Sequence, residues 1–146
     1  MISFSGPTAE VEYIARQIAQ LGRQDFARDL MGEFAQAAQE EVQQEFVQSR
    51  DPDGNAWAPL KRPRPGGPVL DKTGKLKRIR RYVSFAGFTL KATVPYAGFH
   101  QNGTRRMVAR KFFPVDGQLP RAWALRFERI SDATIAKLLS GTRRAA

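Results

Sequence analysis

Between the helix-forming start of this chain and its alternating middle stands Asp51-Pro52-Asp53-Gly54-Asn55-Ala56-Trp57-Ala58-Pro59-Leu60. No helix runs through it. Pro52 suits the first central position of a turn, and Gly54 supplies the positive φ that such a turn needs. Trp57 follows as an aromatic anchor. Charge changes at the same place: residues 1–54 carry a net −6, residues 55–146 a net +16, and the whole chain +10.

On the acidic side the pattern is helical. Thr8 can cap a helix whose apolar positions are Val11, Ile14, Ala15, Ile18 and Leu21, with Gly22 as its stop. A second, longer helix is predicted from about Gln24 to Gln48. Its stripe is Phe26, Leu30, Phe34, Ala38, Val42 and Phe46, flanked by Ala27, Met31 and Ala35. On the basic side, Arg62-Pro63-Arg64-Pro65-Gly66-Gly67-Pro68 suits neither a helix nor a central strand, so residues 61–78 read as a long mobile loop. From Ile79 the period becomes two. Alternation through Tyr82 and Ser84, then Phe88, Leu90, Ala92 and Val94, predicts a hairpin turning at Ala86-Gly87. A further strand is predicted over Met107 to Val115. Pro120 opens a helix with Trp123, Leu125, Phe127 and Ile130, restarting at Ser131-Asp132, and residues 141–146 form a frayed basic tail. Helices first, then strands, then a helix make this an α+β fold. N-terminal amphipathic helices pack on a small, mostly antiparallel sheet, with a long basic loop and a C-terminal helix, in one domain over 1–146.

Several chemistries fail on spacing. Cysteine is absent, which excludes disulfides and thiol catalysis. Asp51, Asp53 and Asn55 begin like a calcium loop, but Ala56 and Arg62 stand where Gly and Glu are required. Gly74-Lys75 lacks the rest of a phosphate loop, since Val69 and Leu76 occupy the other motif positions. His100 is the single histidine, and nothing around it makes a nucleophile elbow or a metal cluster. No catalytic, metal or cofactor site is expected. Apolar runs are too short for a bilayer span, and the N-terminus lacks the regions of a signal peptide.

What remains is charge. The stretch 61–81 carries a net +8, and Lys61, Arg62, Arg64, Lys75, Lys77 and Arg78 are its interface candidates. Two readings fit: a loop that orders on an acidic neighbouring subunit, or non-specific contact with nucleic acid.

Four pieces stand in order: Phe46 with residues 51–60; Leu70-Asp71-Lys72-Thr73-Gly74-Lys75-Leu76; Tyr96-Ala97-Gly98-Phe99-His100-Gln101-Asn102-Gly103; and Ala109-Arg110-Lys111-Phe112-Phe113-Pro114. Together they resemble the phage virion morphogenesis family, the tail-completion proteins of tailed bacteriophages, over roughly residues 20–139. Trp57, Pro59, Tyr96, His100, Gln101, Gly103 and Arg110 carry the resemblance. Asn102 and Lys111 depart from it, where an aromatic residue and a proline are common. The resemblance implies a non-enzymatic protein of the virion neck, made in the host cytoplasm. It implies a homo-oligomeric ring, typically a hexamer, on the head-proximal end of the tail tube, touching the tube protein, the head connector or stopper, and DNA in the lumen. A stopper-like role at the head–tail joint, or a basic nucleic-acid-binding module, are the alternatives. Ring formation uses unlike faces of identical subunits, which the −6 and +16 portions would supply if they lay on opposite sides.

Overall fold

The computed structural model describes residues 2–6, 16, 20, 22–62, 69–70, 73–115 and 119–144. Its elements are β1 (Ile2–Gly6), α1 (Gln24–Gln48), β2 (Ile79–Val83), β3 (Phe88–Ala92), α2 (Ala97–Asn102) and α3 (Arg121–Arg144). The predicted helix over 8–21 falls largely outside the described residues, although Gly22 does hold a positive φ of 76°.

The sheet is antiparallel in the order β1-β3-β2. Phe88, Leu90 and Ala92 of β3 are buried while Thr89 and Lys91 are half-exposed, so alternation fixes which face meets the core. β1 extends the same layers, placing Phe4 opposite Leu90 on the buried side and Ser5 opposite Thr89 on the other. There the Ser5 and Thr89 hydroxyls lie 2.9 Å apart.

One face of the sheet is covered by helices. α1 buries Ala27, Leu30, Met31, Phe34, Ala35, Ala37, Ala38, Val42 and Phe46, close to the predicted stripe, while Phe26 is only half-buried. α3 lies antiparallel to α1. Phe127 packs on Phe34 at 4.9 Å and on Phe88 at 6.1 Å, and Trp123 meets Phe4 edge-on at 5.4 Å. Arg126 of α3 reaches Glu41 at 2.9 Å and also pairs with Glu40 of α1. The aromatic residues of the two halves of the chain thus form one core.

Three sequence readings are corrected. β1 was not foreseen as a strand. The segment 107–115 forms no strand; Thr104 and Met107 make a single bridge, and the hydrogen bonds of residues 110–113 go to side chains and to another loop. The last helix does not restart at Ser131-Asp132 but runs unbroken to Arg144, because Thr134 continues the buried stripe of Trp123 and Phe127.

Candidate interaction site

The turn after α1 is built by its own polar groups. Ser49 takes a left-handed conformation (φ 53°) and its N–H donates to Glu45 O, ending the helix. The Asp51 carboxylate accepts the Asn55 N–H at 2.7 Å and the Asn55 amide at 3.2 Å. Gly54, at φ 91°, donates back to Asp51 O at 3.0 Å. The Asp51 carboxylate, the first of the oxygens that resembled cation ligands in the sequence, is therefore engaged in closing this turn.

Trp57 emerges from the turn into the core, packing on Phe46 at 5.4 Å. Its indole N–H donates to Lys111 O at 2.8 Å. Only the carbonyl of Lys111 is used in this contact, so it does not depend on the lysine side chain. Arg110, itself buried, donates from Nε to Ala58 O at 2.8 Å and from Nη2 to Pro59 O at 2.9 Å. A planar guanidinium presents donors in fixed directions to two successive carbonyls in this way, a fork that a lysine ammonium lacks.

From the other side, Gln101 of α2 locks the same segment. Its Oε1 accepts the N–H groups of Phe112 and Phe113, each at 3.0 Å, and its Nε2 donates to Phe113 O at 2.7 Å. The Arg110 N–H donates to His100 O at 2.7 Å. Gly103 ends α2 at φ 75°, where an added Cβ would lie 2.9 Å from Ala109 N and 3.0 Å from Met107 O. Only glycine fits that conformation and that space. Asn102 is exposed. Trp57, Pro59, His100, Gln101, Gly103 and Arg110 are thus parts of one clamp that fastens three loops.

Above the clamp lies a cleft of about 480 Å³ lined by Leu60, Val69, Leu70, Thr73, Leu76, Tyr96, His100, Met107 and Arg110. Every one of the four ordered motifs contributes to it. The Tyr96 ring stands edge-on to His100 at 6.0 Å. Burial, and then the charge of Arg110, lower the His100 pKa below its ordinary 6.5, so the ring is neutral at pH 7. Its Nδ1 is shielded from solvent and has no hydrogen-bond partner.

The interface candidates divide between two depressions. Lys61 and Arg62 are exposed immediately after Leu60, and Lys75 is exposed beside Leu76. Lys77 and Arg78 instead line a neighbouring groove of about 630 Å³ with Gln39, Gln43, Val47 and Ile79. Arg64 lies outside the described residues. Sequence reasoning missed Met107, Arg105 and Arg106, although the exposed pair Arg105-Arg106 beside His100-Gln101 was a legible basic signal.

Along α1 the charges do not sort by sign. Glu40 and Glu41 pair with Arg126. The Glu40 pKa is held below its ordinary 4.5, first by the Gln36 amide and then by Arg126, with Arg81 of β2 also contributing. Arg28, Asp29, Glu33 and Arg81 share one groove between α1 and β2. Because the acidic helix packs directly on the basic half, unlike charges meet inside one subunit. Residues 56–62, 73–78 and 96–110, which supply most of the cleft lining, contain no acid, while Asp71, between the lining residues Leu70 and Thr73, lies outside the described residues.

Among the described residues there is no group of carboxylates and histidine able to hold a metal, and no helix long and apolar enough to cross a membrane. The model of the phage virion morphogenesis family matches residues 8–136. No curated protein and no solved structure matches the chain.

Proposed function

Because the chain belongs to the phage virion morphogenesis family, a family of structural virion proteins, we propose that it acts at the neck as a tail-completion protein. Copies form a ring, a hexamer in this reading, that caps the head-proximal end of the tail tube and joins the tail to the head connector. The observation that supports this reading is the convergence of the four motifs on one cleft, three of them also joined in one clamp. The hydrogen bonds of the clamp hold its loops in place, as suits a docking surface. Heterologous contacts between unlike surfaces of identical subunits close a ring without leaving a free edge.

Light scattering after size exclusion, with and without purified tail tubes, tests the ring. The expected result is a closed oligomer, alone or nucleated on the tube end, since mass action allows a weak interface to form only there. A monomer that never binds tube ends would end the reading. Electron microscopy of labelled protein separates tail completion from a stopper role: the first places it on the tube end, the second on the head connector. Nucleic-acid binding is the runner-up. It predicts a log–log salt slope near −5 for about six phosphate contacts.

A further inference from the structure

The cleft has a composition that selects its occupant. Its walls are Leu60, Val69, Leu70, Leu76 and Met107, with Tyr96 at the side. Its volume, about 480 Å³, falls within the range of roughly 300–1,000 Å³ typical of ligand pockets and exceeds the bulk of one large side chain. Next in sequence to the lining residues Leu60, Leu76 and Met107 come the exposed cations Lys61, Arg62, Lys75, Arg105 and Arg106. The Arg110 guanidinium adds its charge to the wall while its donors hold Ala58 and Pro59. Asp71 is the one acid adjacent in sequence to these lining residues, and it lies outside the described residues.

We infer that this cleft docks an acidic polypeptide segment of another virion protein, which inserts one apolar side chain between Leu60, Leu76 and Met107 while its carboxylates meet the cationic rim. The inference names a partner for the docking role proposed above and rests on that reading. An apolar anchor in a desolvated pocket surrounded by complementary charge is the usual source of affinity and register in such contacts. Nucleic acid is the poorer fit. The walls are mostly aliphatic, Tyr96 and His100 are the two rings among the residues lining them, and they stand edge-on to each other instead of offering successive stacking platforms. A second copy is also the poorer fit. Among the described acids, Glu40 and Glu41 are held by Arg126, Asp51 by Asn55, and Glu45 is buried. Asp25, Asp29 and Glu33 lie on a helix interleaved with Arg28, Glu128 and Asp132 lie on α3 beside Arg129, and Asp53 stands singly exposed in the turn.

The test uses the full chain and a fluorescein-labelled peptide of Asp and Glu with one central Leu, read by anisotropy. The same peptide with Ser for Leu, and oligothymidylate of equal charge, serve as comparisons. The expected result is measurable binding of the Leu peptide, about tenfold weaker with Ser because the anchor is lost. Thr73 is exposed and lines the cleft. Thr73→Trp should fill it and Thr73→Asp should repel the peptide, each reducing affinity about tenfold. Two variants acting by volume and by charge guard against one of them failing to fold. Lys61→Glu with Arg106→Glu should weaken both peptides. Equal binding of the Leu and Ser peptides, no binding of either, or tighter oligothymidylate binding unaffected by Thr73→Trp would each overturn the inference. Light scattering on the same samples keeps the ring reading separate: a ring that forms while the peptide fails to bind overturns the inference alone. A ring that dissolves with Thr73→Trp would place a second copy in the cleft and overturn it too.

Discussion

Gln101 and Glu45 are both buried polar side chains on helices, and their surroundings treat them in opposite ways. Gln101 makes three hydrogen bonds to the backbone of Phe112 and Phe113. Glu45, in the last turns of α1, has both carboxyl oxygens shielded from solvent with no partner. Burial pushes its pKa up to about 9. The Trp123 indole opposes that shift without reaching hydrogen-bond geometry, while Glu41, Asp51 and Asp53 reinforce it. An amide offers a donor and acceptors at once, so it can replace a strand partner for a chain that has none. A carboxyl in the same degree of burial is tolerated only by keeping its proton.

The sharpest way to break this contrast is Gln101→Ala. It leaves two N–H groups and one carbonyl without partners in the buried clamp, at a cost of about 3–5 kcal/mol, since each orphaned group costs roughly 1–3 kcal/mol. Urea denaturation measures it. A loss under 1 kcal/mol would mean that residues 110–113 are held without Gln101.

Glu45→Gln should act in the opposite direction. The folded pKa near 9 lies above the ordinary 4.5, so between those values the unfolded chain releases a proton that the folded chain keeps. Stability therefore falls as pH rises through that window, by up to about 1.4 kcal/mol per unit, or about 3 kcal/mol by pH 7. A glutamine stays neutral throughout. The two proteins should match near pH 4, and the variant should be the more stable at pH 7 by about that amount. Parallel pH–stability curves would show that Glu45 is ionised in the folded protein.

Trp57→Phe sharpens the comparison at the clamp's other anchor. The ring contact with Phe46 survives, while the Lys111 carbonyl loses its donor. The expected loss is about 1–2 kcal/mol, smaller than for Gln101→Ala because one acceptor is affected instead of three groups. Complete removal, Trp57→Ala, should cost about 3–5 kcal/mol, since the side chain is buried.

Much of this contrast was legible from the sequence, for uneven reasons. α1 was readable to its ends because its stripe and the Asp51-Pro52-Asp53-Gly54 stop are local signals. The hairpin of β2 and β3 was readable for the same reason. β1 alternates Ile2 and Phe4 with Ser3 and Ser5, but five residues carry little signal, and its partner Phe88–Ala92 is distant in the chain. The segment 107–115 has the apolar content of a strand and yet pairs with side chains, which no local pattern reports. Clamp residues were picked out by resemblance. Their geometry was not visible, nor was the gathering of the cleft from four separated motifs. Glu45 did leave a trace: it sits three residues after Val42 and one before Phe46, on the buried stripe, where a carboxylate is out of place.

The smallest effect lies between Glu45 and the turn. Ser49 holds φ 53°, a left-handed conformation in which a Cβ is strained and glycine is not. Its structural contacts are backbone ones: its N–H donates to Glu45 O, and its carbonyl accepts the Trp57 N–H at 2.8 Å. Ser49→Gly should therefore keep both bonds while removing the strain, partly offset by the greater freedom of glycine in the unfolded chain. The expected gain is about 0.5–1 kcal/mol, or about 1–4 °C in Tm for a chain of this size. Because the side chain at 49 does not set the protonation of Glu45, the gain should be the same at pH 5 and pH 8. A gain that appears only at high pH would mean that Ser49 restrains the path by which Glu45 reaches solvent, and that the helix end and the buried carboxyl are one coupled unit.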